Sequence, residues 1–321
     1  MKRSIRLSPV APLAPVIGDG ELVAFNVGPD AVTYFVVAQK PLDYRVEQPG
    51  GATFAKTVPH QPQNYRVVGL SGSQPVLDVV IEGERFNIHA VQPLPGELLL
   101  VCARSHGKGP DDFEKNGRVY TRDGKFAREI LLGDGIASVQ ATAGGTIWTS
   151  FFDEGVFGSG VGASGLVAWD SAGAKVYEFQ QEAGLDAICD CYALNVESEE
   201  DVWLYYYTEF PLVRLHHRKV AAVWKIPVHG SRAFAVAAGH ALFSGRYKDR
   251  DACALFALDE DGNPRLLAEL ELQNEKGHRL AADRVVGRGG VMHLLSDGFL
   301  YRIDVQSALA GLGREKSPIC E

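Results

Sequence analysis

A short pattern recurs along the chain: an apolar run, then Asp or another polar residue, then Gly, then a second run. It occurs at Val119–Lys125 (VYTRDGK), Leu166–Tyr177 (LVAWDSAGAKVY) and Ala254–Leu267 (ALFALDEDGNPRLL). Glycine after Asp tolerates the positive φ that closes a type I turn with a bulge, so each copy reads as a β-hairpin. Hairpin units repeating at this pitch predict a β-propeller. The architecture alone does not name a function, because propellers host unrelated ones.

Six pairs of inner strands can be placed: Glu21–Val27 with Ala31–Ala38, Phe86–Gln92 with Glu97–Arg104, Ile136–Thr142 with Thr146–Phe152, Cys189–Val196 with Asp201–Tyr207, Arg232–Ala237 with His240–Arg246, and Arg284–Arg288 with Val291–Ser296. Five units have two further strands, whereas the sixth has only Phe299–Val305. An unpaired sheet edge would expose a row of backbone donors and acceptors, so the extended segment Arg3–Ser8 is expected to supply the missing strand. The expectation is an all-β, six-bladed propeller closed by an N-terminal strand. It forms one domain over residues 1–305, with blades at about 20–82, 86–132, 136–180, 189–227, 232–272 and 284–305 plus 3–8. Residues 306–321 form a tail that begins with a helical turn over Gln306–Leu312. Runs such as Leu98–Cys102 and Val202–Tyr207 are apolar on both faces, as expected of strands packed between blades. The four tryptophans, Trp148, Trp169, Trp203 and Trp224, read as core between blades.

Composition sets outer limits. With 32 basic and 40 acidic residues the net charge is −8, and no long basic run exists, which argues against nucleic acid or an anionic membrane as partner. Proline at positions 9, 12 and 15 interrupts the apolar stretch behind the basic start, so that stretch reads as a strand and not a signal peptide. No apolar run is long enough to span a bilayer. Cys102, Cys189, Cys191, Cys253 and Cys320 are odd in number and scattered, and they read as free thiols in a reducing cytoplasm.

Several motif matches dissolve on inspection. Gly160–Gly165 fits G-x-G-x-x-G, but it leads into the strand Leu166–Asp170 and not into the helix a pyrophosphate site needs. Asp259–Gly262 lacks the later ligands of a calcium loop, and His216–His217 sits at an exposed turn. No nucleophile elbow or H-E-x-x-H pair is present.

The segment singled out is Ser150–Ser164, a long glycine-rich connection where the other repeats use a few residues. It carries Asp153, Glu154 and Phe157. The insertion 39–64, the loop 105–116 with His106, Asp111 and Asp112, and the turn Arg246–Asp251 share its face. Asp134, Asp186, Asp190, Arg232 and Asp283 enter the channel from the same side. Asp153, Glu154, Phe157, Asp190, Arg232 and Arg246 are therefore the candidate binding residues of a scaffold that recognises a protein partner or a small ligand, without a cofactor. The bland reading is that the acids cap turns and pair with Arg232, Arg246 and Arg284 across blades. The alternative from another class is a metal-dependent hydrolase, with Asp153, Glu154, Asp190 and Asp283 holding a divalent cation.

The stretches Phe152–Gly158 (FDEGVFG), Ser164–Asp170 (SGLVAWD) and Asp190–Asn195 (DCYALN) resemble those of a group of soluble bacterial propeller proteins, a resemblance that implies no activity. The architecture is similar to NHL and SMP-30/gluconolactonase-type propellers. In the latter, Glu, Asn and Asp from inner strands hold a divalent metal, and Glu21, Asn87, Asp190 and Asn195 are counterparts by residue type. Because that family's motifs do not match residue by residue, its lactonase activity is not carried over.

Overall fold

The computed structural model describes residues 2–47, 49–51, 53–109, 112–158, 160–182 and 184–313. Asp111, Cys320 and the tail beyond 313 lie outside the described residues. The protein is a six-bladed β-propeller whose strands a to d run outward in each blade. The inner strands are Glu21–Val27, Ala90–Leu94, Ile136–Ala141, Asp190–Val196, Ala233–Ala237 and Arg284–Arg288. The hairpin reading holds in detail. Gly124, Gly173 and Gly262 have φ of 87°, 89° and 74°, and each hairpin carries a register shift beside its turn. Blade two begins four residues later than expected, because Asn87 is tied to the blade-one insertion. Its N–H donates to the Thr57 carbonyl at 2.8 Å, and its Nδ2 donates to the carbonyls of Asp43 and Lys56.

The ring closes differently from the sequence expectation. Lys2–Arg6 does not pair with Phe299–Val305; it runs parallel to the outer strand Arg265–Gln273 of blade five. The outer strand of blade six is instead Ala11–Pro12, antiparallel to Phe299–Asp304. Both segments are short and extended, so their alternation could not choose between partners. The structure shows one continuous N-terminal segment stapling two blades. The C-terminal helix Val305–Gly313 lies against the first of these strands, where Arg3 donates to the Leu312 carbonyl at 2.7 Å.

Six apolar clusters fill the six seams between blades, and all four tryptophans are buried in them. Trp203 stacks on Trp224 with ring centroids 5.6 Å apart. Cys102, Cys189, Cys191 and Cys253 are free thiols, and burial pushes Cys102, Cys191 and Cys253 up to about 12.

At the axis the inner strands are tied by a belt of buried amides. Gln140 of blade three donates to the carbonyls of Leu194 (3.1 Å) and Gly287 (3.0 Å) and accepts from the Val196 N–H (2.8 Å). Asn195 of blade four donates to Phe234 and Gly289 carbonyls and accepts from the Gly289 N–H. Gln92 of blade two bonds Val27 and Ala141, and Asn26 of blade one reaches the Val139 carbonyl. The strands approach so closely that a Cβ on Gly287 would sit 1.8 Å from the Phe234 carbonyl oxygen.

Two outcomes follow. Gln140→Leu orphans two carbonyls and one N–H at the buried floor, and at about 1 kcal/mol or more for each it should cost roughly 3 kcal/mol, read as a lowered urea midpoint. Deleting residues 1–8 removes the fifth strand of blade five but leaves blade six closed, a loss of about 3 kcal/mol with the fold retained. Deleting residues 1–13 also removes buried Ala11 and Leu13 and should abolish cooperative unfolding. Equal midpoints for the two truncations would contradict this division of labour.

Candidate functional site

The belt blocks the channel part-way along its length. Above it, on the face that carries the b–c and d–a connections, lies a pit of about 570 Å³. Asn26, Gln140, Leu194 and Gly287 lie deepest along their strands, and Asp153, Asp190, Tyr192, Arg232 and His89 line the upper walls.

Asp153 reaches the pit because the Phe152–Gly165 connection folds at its start. Asp153–Val156 form one helical turn, in which the Asp153 carboxylate accepts from the Glu154 N–H at 2.8 Å. That turn is packed so closely that a Cβ on Gly155 would meet the Asp134 carbonyl at 2.5 Å. Arg104 fixes the outside of the turn. It binds Asp134 (2.8 Å) and Glu154 (2.5 Å), while Asp134 also accepts from the Ser105 N–H.

The sequence candidates therefore separate. Asp153, Asp190 and Arg232, from blades three, four and five, come together at the pit. Glu154 is turned outward onto Arg104. Arg246 pairs with Glu269 at 2.9 Å on blade five, away from the pit lining. Asp283 is exposed, and its neighbour Arg284 holds the Leu22 and Val23 carbonyls of blade one. Phe157 is 73% exposed, so it neither plugs the channel nor fills the core. The bland ion-pair reading describes Arg246 but not Arg232, which makes no hydrogen bond or ion pair within 4 Å among the described residues. Among those residues no group of three or more His, Cys, Asp or Glu side chains converges as a metal site. Of the set suggested by residue type, Asn195 is spent in the belt and Asn87 on the insertion.

The carboxyl of Asp190 is raised above its ordinary range, chiefly by burial and then by Asp153, with Arg232 opposing. Burial also dominates at Tyr192, whose hydroxyl meets that of Tyr247 at 2.6 Å and is pushed upward. These rings join Phe210, which packs on Tyr192 at 5.2 Å and on His229 at 5.1 Å, to form an aromatic wall at the blade four–five rim. His89 was not anticipated. Its Nδ1 accepts from the Ala103 N–H, which leaves the ring proton on Nε2, and burial holds it neutral, down to about 4. The amides of the floor were missed as well, although one Asn or Gln at the same depth in four otherwise apolar inner strands was a readable signal.

The YxzG family model matches residues 163–303, under half of the chain. No curated protein matches it. Among solved structures, the β-propeller domain of Cps50 (Swd1) from Myceliophteria thermophila aligns with TM-score 0.52 at 12% identity, over 90% of this chain and 85% of that one. KlHsv2 with loop 6CD replaced by a Gly-Ser linker aligns with TM-score 0.51 at 9% identity, over 89% and 78%. At such identities the likeness concerns the fold.

Two neutral histidines give a pH dependence. His293, buried in blade six, is held down to about 4 by burial, as His89 is. An unfolded histidine titrates near 6.5, so the unfolded chain binds more protons between those values and stability falls as pH falls through the window. The loss should be on the order of 3 kcal/mol per ring by pH 4. His293→Gln should flatten the slope of urea midpoint against pH between 6.5 and 4; an unchanged slope in that variant and in His89→Gln would contradict the assignment.

Proposed function

We infer that the protein is a binding propeller whose pit takes a small polar ligand. The observation that carries this is the combination of a floor closed by hydrogen-bonded amides and a mouth where Asp153, Asp190 and Arg232 stand without ion-pair partners among the described residues. The pit falls within the roughly 300–1,000 Å³ typical of small-molecule sites, which are concave with a few convergent polar groups. A metal-assisted hydrolase draws less support, since its four proposed ligands point to three different places.

A protein partner on the same face is the second reading, and a specific distribution favours it. Seven of the twelve exposed large hydrophobic side chains among the described residues lie in or beside b–c connections: Val46, Phe54, Val58, Phe157, Tyr207, Tyr247 and Phe299. They stand on the face that bears the pit, and apolar side chains exposed on one face are the arrangement of an interaction surface.

Ala137 is exposed on the pit wall, so Ala137→Trp fills the space while changing stability by only about 0.5 kcal/mol. Native mass spectrometry against a panel of small polar metabolites should show a ligand on the wild type and none on this variant. Binding by neither, or equal binding by both, would overturn the pit reading. Cross-linking in the native host with Phe157→Asp addresses the interaction surface: a partner lost in that variant and kept in Ala137→Trp supports the second reading, and one kept in both overturns it.

A further inference from the structure

The charge layout of the pit, taken on the reading that it holds a small ligand, narrows the chemistry of that ligand. Asp153 is carried by the helical turn of blade three, Asp190 opens the inner strand of blade four, and Arg232 immediately precedes the inner strand of blade five. Three successive blades therefore set two carboxylates and one guanidinium along one arc of the mouth. The opposite arc is uncharged: Phe25, Val285, Val286 and the neutral His89.

Several other cations on this face are paired. Arg104 is committed to Asp134 and Glu154, Lys56 to Asp43, Arg279 to Asp249, and Arg284 to two backbone carbonyls. Arg232, the cation in the pit lining, has no such partner: it is near enough for Asp190 to feel its charge yet forms no ion pair within 4 Å among the described residues. The Asp190 carboxylate likewise has no hydrogen-bond partner there, and that of Asp153 accepts only from the N–H of Glu154. The two carboxylates sense each other, so the empty arc lacks one positive charge on its acidic side and one acceptor on its basic side.

A lone anion on Arg232 would set its charge beside two carboxylates, and a lone cation would leave the guanidinium unmatched. A neutral sugar could offer hydrogen bonds but would compensate no charge. One molecule bearing both signs answers all three groups, and guanidinium matches carboxylate geometry with paired N–H donors. The wall formed by Tyr192 and Tyr247 adjoins the same arc, available to the remainder of such a molecule.

We propose that the pit binds a small zwitterion of the amino-acid type, with its ammonium between Asp153 and Asp190 and its carboxylate on Arg232.

Isothermal titration with the common L-α-amino acids tests this, each beside its N-acetyl derivative, which lacks the cation, and its decarboxylated amine, which lacks the anion. The expected result is binding by at least one amino acid, weakened about tenfold or more by loss of either charge and, separately, by Arg232→Gln or Asp190→Asn, as removal of one member of a close charge pair entails. Both substituted positions are at least partly exposed, and an unchanged urea midpoint confirms that the variants stay folded. Silence from every amino acid, a derivative that binds as well as its parent, or undiminished binding by Arg232→Gln overturns the zwitterion. Glucose, acetate and ethylammonium serve as further arms. If one of these binds in place of the amino acids and is blocked by Ala137→Trp, the zwitterion falls while the pit stands; if nothing that binds is blocked by Ala137→Trp, both fall.

Discussion

The rest of the structure depends on the amide belt at the axis. Inner strands of a propeller converge where their outer neighbours no longer separate them, and each presents backbone groups to a narrow space. Gln92, Gln140, Asn195 and Asn26 take up those groups with donors and acceptors from the same side chains. The belt reaches all six inner strands, because blade five contributes the Phe234 carbonyl and blade six contributes Gly287 and Gly289. Gln140 and Asn195 use both N–H donors and the oxygen of their amides, and such cross-strand bonding makes this floor rigid.

That rigidity sets the division of the molecule. Below the floor, short hairpins repeat with nearly the same geometry. Above it the connections differ from blade to blade: an insertion in blade one, a helical turn in blade three, an aromatic corner in blade four. The helical turn is held from outside by Arg104, which takes Glu154 and Asp134 and so leaves Asp153 facing inward. Two adjacent acids thus receive opposite tasks from their position on a single turn. The aromatic corner depends on Phe210, whose φ of 53° is unusual for a side chain of that size and is maintained by contacts with Tyr192, His229 and Tyr247.

Most of the fold could be read in the sequence because it is written locally. A hairpin needs its glycine within a few residues of its strands, and the blade boundaries followed from six such units. Closure was readable as a necessity but not as a pairing, since Arg3–Ser8 and Ala11–Pro12 are each short enough to fit either open edge. The site was legible in part. Asp153, Asp190 and Arg232 could be nominated because each stands where a strand meets a loop on one face. Glu154, Arg246 and Asp283 stood in equivalent positions, and only side-chain direction separates them from the first three. His89 and Tyr192 carried no local signal, because their place in the pit depends on how the inner strands are rotated about the axis.

The distribution of satisfied and unsatisfied polar groups argues that the mouth is where selection has acted on something other than stability. A chain that ties its inner strands with four axial amides and closes an ion network around Arg104 had the means to pair Arg232 as well, by a shift of one carboxylate from the neighbouring blade. Asp190 lies within electrostatic reach, yet it is left half-buried and raised in pKa, next to a second acid that makes its ionisation harder. The cost to folding falls on Asp190, since Asp153 and Arg232 are exposed, and no ion pair among the described residues offsets it. Departures from local consistency are expected where a protein meets what it binds, and the half-buried Asp190 beside Asp153 is one such departure at the pit.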